Sequence, residues 1–203
     1  PRKEFQGISS QLKEASQIVS QAKGRARSVT TQLMIGFGEH DRETLALCQN
    51  SYQSLGLARC YLSAFSPVPD TPLAAKLPTP KLREKRLYQA DFLIRRYGFN
   101  AFELPFDKDG NLPSDTDPKL AWAFSHPEFF PIEINQATYE ELLRIPGVGP
   151  HIAKEILRFQ TEGKIKNIEE LKRIGVRAIR TAPFILLDGK REQKLQPQFA
   201  FKL

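Results

Sequence analysis

The chain has 203 residues, 40% of them hydrophobic, which is enough for one or two domains with cores of their own. Lys and Arg number 30 against 23 Asp and Glu, a formal charge of +7 with a pI near 9.5, so nucleic acid, acidic surfaces or anionic lipid are the favoured partners. No apolar run approaches the ~18 residues that span a bilayer and no charged-then-apolar leader opens the chain, so no membrane partner and a cytoplasmic location are expected; Cys48 and Cys60, the two cysteines, are too few for a zinc or iron–sulfur site and read as buried thiols.

Ile8 to Ala22 carries apolar residues at near-helical steps among Ser, Gln, Lys and Glu, which predicts an amphipathic helix. Ser28 to Phe37 is short, β-branched and closed by Gly36 and Gly38, a buried strand. Asp41 opens a helix through Leu55, ended by Gly56, and Ala58 to Phe65 is a second strand. Strand, helix, strand predicts a parallel βαβ unit. Two strands leave open edges on either side, so further chain is expected to complete the sheet. Five prolines between Ser66 and Pro80 mark a crossing loop. Lys81 to Tyr97 is helical, and its Arg83, Lys85, Arg86, Arg95 and Arg96 read either as a basic strip with Tyr88 and Tyr97 to stack or as a solvated face over core aromatics. Asp109-Gly110 is a turn, and Asp117-Pro118 opens a helix through Ser125 whose Trp122 is placed in the core.

From Ile132 the pattern changes. Ile132 to Ala137 is a short extended lead-in, and Thr138 is placed to N-cap a helix with Glu141 as its reciprocal partner. Pro146-Gly147 must stop that helix. Gly147 and Gly149 permit backbone angles and close approaches closed to other residues, and Pro150 suits the first position of a second helix with Ile152, Ala153, Ile156 and Leu157 on one face. The N–H groups of Gly147, Val148, Gly149 and His151 would then cluster at a helix N-terminus, where the dipole favours an anion such as phosphate. Lys154 lies one turn in, and Arg144 and Arg158 flank the hairpin. Basic residues outnumber acidic ones around it, which suits a polyanion. The competing reading is a tight turn between two packed helices.

The run Ile145 to Ala153, apolar-Pro-Gly-apolar-Gly with Ala four residues on, resembles the helix-hairpin-helix family of sequence-independent DNA-binding motifs. That resemblance implies backbone binding of DNA, and it implies that carbonyls at Leu143, Ile145 and Val148 hold a monovalent cation. Leu171 to Val176 resembles a degenerate second hairpin lacking one glycine, with a packing role. Thr31 to Glu43 resembles a late-barrel strand and Gly-acid turn of radical S-adenosylmethionine enzymes, Tyr61 to Pro69 the next strand and loop, and Leu87 to Phe99 the helix that follows in a subgroup assigned to DNA modification or repair. By that resemblance Gly36, Gly38 and Glu39 would lie near the cofactor's adenosine. The enzymes' C-x3-C-x2-C motif for a [4Fe-4S] cluster has no counterpart here, so no cofactor is expected in this chain.

The expectation is therefore a mixed α/β, mostly α chain. Residues 1–66 form a βαβ remnant, 67–130 a Pro-rich crossing loop and helical connector, 131–186 a helix-hairpin-helix domain, and 187–203 a basic tail. Its expected function is non-specific DNA-backbone binding, as the C-terminal targeting part of a radical S-adenosylmethionine system whose barrel is completed by missing sequence or a partner. Activity on nucleic acid with that barrel present, and a protein-interaction module, are the alternatives.

Overall fold

The computed structural model describes residues 2–22 and 27–191, and the basic-tail residues Lys194 and Lys202 lie outside that range. The protein is mixed α/β, mostly helical, and divides into two compact units. One comprises Pro1–Arg95 with Phe99–Pro118, the other Arg96–Gly98 with Lys119–Leu203. The connector's helices are thus shared out between the two. No described helix is long and apolar enough to cross a membrane.

In the first unit, α1 (Arg2–Gln21) precedes β1 (Thr30–Ile35), α2 (Asp41–Ser54) and β2 (Arg59–Ala64), and α3 begins at Lys81. The strands pair in parallel from Thr30 against Arg59 to Ile35 against Ala64, as the strand–helix–strand pattern requires. Leu45, Cys48, Cys60, Leu62, Leu87 and Ala90 form the core between the sheet and its helices. Asp41, the first residue of α2, is buried and holds Arg83 Nε at 2.7 Å and the Leu112 N–H at 3.0 Å, tying three segments together.

One edge of this sheet differs from the sequence expectation. Phe65 N–H donates to Ile35 O across the ladder, and because N–H direction alternates along a strand, Cys60, Leu62 and Ala64 face the other way. Their N–H groups donate to Tyr52 Oη at 3.1 Å, Tyr88 Oη at 2.9 Å and Glu84 Oε2 at 2.6 Å. Side chains from α2 and α3 therefore close the outer edge of β2, and no further strand is needed there. The open-edge argument for missing chain fails on this side.

The second unit contains the end of α3 (Lys81–Tyr97), α4 (Pro118–Ser125) from Lys119 on, β3 (Ile132–Glu133), α5 (Tyr139–Arg144), α6 (Pro150–Glu162), α7 (Ile168–Arg173), α8 (Ala178–Thr181) and β4 (Ile185–Leu186). Trp122 is buried, as its pattern predicted, stacked on His126 at 4.3 Å. The β3–β4 pair was not foreseen; it is parallel and joins the two ends of the helical array. The Glu133 carboxylate reinforces it by accepting N–H groups of Asp188 and Gly189 at 3.2 and 2.7 Å.

Candidate nucleic-acid interface

Thr138 caps α5 as its sequence dictates. Its hydroxyl accepts the Glu141 N–H at 3.2 Å while the Glu141 carboxylate accepts the Thr138 N–H at 2.7 Å. The helix stops at Ile145, and the chain reverses through Pro146 and Gly147 before Pro150 starts α6. Gly147 sits at φ +88°, in the left-handed region. Gly149 does not; it is the extended N-cap of α6 at φ −111°, and its use is steric, since a Cβ there would meet the Tyr97 hydroxyl at 3.1 Å. The two glycines thus differ: Gly147 serves a left-handed backbone, and Gly149 a close side-chain approach.

Val148 points inward and is 1% exposed, and its N–H donates to Ile145 O at 3.1 Å. It is therefore spent inside the turn and leaves the expected anion-binding set. The N–H groups of Gly147, Gly149, His151 and Ile152 make no hydrogen bond among the described residues. The first intrahelical bond of α6 is Ala153 N–H to Gly149 O at 2.8 Å. His151 and Lys154 are exposed beside this array, and Lys154 has no ion pair among the described residues. Four donors at the positive end of a thirteen-residue helix, with an ammonium one turn away, suit a phosphate oxygen cluster.

The flanking arginines lie elsewhere. Arg144 turns inward, its guanidinium 4.8 Å from the Trp122 ring centroid and within 3.4 Å of Gly98 O. Arg158 is eight residues into α6, about 12 Å along its axis, and is held by Glu155 at 2.9 Å and Glu162 at 3.4 Å. Lys164 and Lys172 are likewise paired, with Asp188 and Glu169. Exposed Lys154, Lys166, Arg173 and Arg177 keep no acidic partner among the described residues.

Behind the hairpin stands the second, shorter pair α7–α8. Gly175 repeats the backbone of Gly147 at φ +94°, and Val176 is buried like Val148, while Arg177 stands where the true hairpin has Gly149. Thr181, fully buried on α8, donates to Pro146 O at 2.9 Å and lies where a Cβ on Gly147 would reach its Oγ1 at 2.5 Å. A packing role for this second pair was expected, but the residue that carries it was not singled out, since one threonine in a basic segment does not advertise itself. Sequence reasoning missed Lys119, a charge immediately ahead of the apolar run Leu120 to Phe124. Lys119 is 7% exposed, donates from Nζ to Val148 O, and lies 4.7 Å from the Tyr97 ring centroid.

These contacts bear on the implied monovalent cation. Of its three carbonyls, that of Val148 accepts the Lys119 ammonium and that of Ile145 accepts the Val148 N–H. A donor set already facing a buried ammonium does not fit a second cation.

In the first unit the Gly-acid turn closes on itself. Glu39 accepts the Gly36 N–H at 2.6 Å and the Phe37 N–H at 2.8 Å, with Arg83 at 3.4 Å. Burial alone would raise the Glu39 pKa, but those N–H groups and Arg83 outweigh it and hold the carboxyl below the usual range. Gly38 is open, with nothing near its would-be Cβ. Cys48 and Cys60 are fully buried against each other: the Cys48 thiol lowers Cys60 to about 7, and the same contact pushes Cys48 up. Two cysteines facing each other in a core do not fit a [4Fe-4S] cluster. Among the described residues no group of three His, Cys, Asp or Glu side chains is placed to hold a metal. The α3 tyrosines are used internally, Tyr88 on Leu62 and Tyr97 beneath Gly149.

No curated protein and no solved structure matches the chain. Residues 129–176 match the helix-hairpin-helix motif family, the segment that holds α5, the hairpin, α6 and α7, and the match supports nucleic-acid binding at a coarse level.

Proposed function

We propose that the protein binds the DNA backbone without reading sequence, clamping a phosphate on the N–H groups of Gly147, Gly149, His151 and Ile152 with Lys154 as a point charge. The observation that carries this reading is the set of N–H donors at the hairpin and the α6 N-terminus that make no hydrogen bond among the described residues, inside the segment that matches the motif family. Phosphate contacts position a protein and carry no base information, so binding is expected to be indifferent to sequence. A lone module of this kind binds at roughly 10⁻⁴ to 10⁻⁶ M in physiological salt. The resemblance of the β1 turn and of Leu87 to Phe99 to radical S-adenosylmethionine proteins supports a wider role, in which this module targets a DNA modification or repair enzyme.

Fluorescence anisotropy of labelled duplex and single-stranded DNA, titrated at several salt concentrations with wild type and Lys154→Glu, tests the clamp. A steep salt dependence, and a loss of about tenfold in the variant, are expected. Equal binding by the two proteins would move the site elsewhere.

A further inference from the structure

The hairpin carbonyl at Val148 is already met by a cation, and that cation belongs to the protein. We propose that Lys119 is a tethered counterion of the hairpin, its ammonium standing where a free monovalent ion would sit, so that phosphate binding by this module needs no added potassium or sodium. The proposal rests on the phosphate-clamp reading and adds what organises the clamp from behind.

Three observations converge. Lys119 is 7% exposed, and an ammonium removed from water that far must be met by acceptors or aromatic faces. It is met by the Val148 carbonyl and the face of Tyr97, 4.7 Å from the ring centroid. Tyr97 in turn lies under Gly149, where a Cβ would reach its hydroxyl at 3.1 Å. Lysine and tyrosine thus pack against Val148 and Gly149, at the base of the hairpin whose Gly147, Gly149, His151 and Ile152 N–H groups make no hydrogen bond among the described residues.

Of the other two implied carbonyls, that of Ile145 accepts the Val148 N–H at 3.1 Å, which leaves Leu143 O. A dissolved cation would have to displace a covalently tethered one, which is present at high effective concentration whatever the buffer. Lys119 is a positioning residue in this account; it does not touch the nucleic acid.

The test compares DNA affinity of the full chain in potassium, sodium and tetramethylammonium chloride at one ionic strength, for wild type and Lys119→Met. Wild-type affinities should agree within about twofold, and Lys119→Met should lose about tenfold in tetramethylammonium and regain part of it in potassium. Wild-type binding that strengthens about tenfold from tetramethylammonium to potassium would overturn the proposal while leaving the clamp standing.

If wild type bound no DNA in any salt, the clamp reading would fall. Thallium NMR of the protein alone would then decide the tether, with thallium(I) as the potassium probe. Saturable broadening in Lys119→Met but not in wild type supports it; saturable broadening in wild type refutes it. Trp122 emission reports whether Lys119→Met is folded, and if it is not, the two wild-type measurements decide.

Discussion

Substituting Gly147 by Ala puts a methyl group into two conflicts at once. At φ +88° a side chain costs roughly 1–2 kcal/mol in backbone strain. The new Cβ would also stand 2.5 Å from Thr181 Oγ1, and forcing such an overlap in a packed site adds about 1–3 kcal/mol. Thr181→Ala alone removes the hydroxyl that donates to Pro146 O and should cost about 1–3 kcal/mol, because the carbonyl loses its buried partner. In the double variant the overlap is gone while the backbone strain and the lost hydrogen bond remain. The pair should therefore be less destabilised than the sum of the singles by about 1–3 kcal/mol. Urea unfolding followed by Trp122, the only tryptophan and a core residue of the same unit, measures each corner of the cycle. Additivity within ~0.5 kcal/mol would refute the claim that α8 packs against the hairpin glycine.

Four further outcomes are expected. Lys154→Ala should weaken DNA binding at all sequences alike and reduce the slope of log K against log salt by about one unit, checked by anisotropy across a salt series. Asp41→Asn leaves Arg83 without its buried carboxylate and should destabilise the first unit by about 2–4 kcal/mol in chemical denaturation monitored by far-ultraviolet circular dichroism. Glu39 has a folded-state pKa below its unfolded value, so its stabilisation is full above the ordinary glutamate range and disappears as pH falls through the lowered value; Glu39→Gln should flatten that acid limb of the stability profile. Iodoacetamide should leave native Cys48 and Cys60 unmodified and alkylate both in urea, because burial blocks access even to a sulfur shifted to about 7; rapid labelling of the native protein would show that α2 opens from β2.

Much of this architecture was written in local signals. The apolar period of Lys81 to Tyr97 gave that helix with both ends, and Thr138 with Glu141 announced the start of α5 through paired donors and acceptors that lie three residues apart. Gly147 and Pro150 punctuate the hairpin for reasons visible in any sequence. What stayed hidden depends on residues distant along the chain. Lys119 reaches a carbonyl 29 positions away and Thr181 one 35 positions away, and neither distance leaves a period to read. The β3 and β4 strands are two residues each, too short to alternate. Tyr52, Tyr88 and Glu84 bond the edge of β2 through contacts 8 to 26 positions apart along the chain, which the helical pattern does not show. Arg144 and Arg158 lie near the hairpin in sequence, but the helix geometry sends one against Trp122 and the other toward acids on its own face.

The β3–β4 clasp also sets an order of events during synthesis. A ribosome delivers the hairpin at Pro146 to Pro150 well before it delivers Thr181, Ile185 and Leu186, and at roughly 5–20 residues per second the wait is on the order of a few seconds. Through that interval Ile132 and Glu133 lack their strand partner, and Pro146 O lacks its donor. The nascent second unit therefore completes itself from its far end: the last strand made is the one that locks the first.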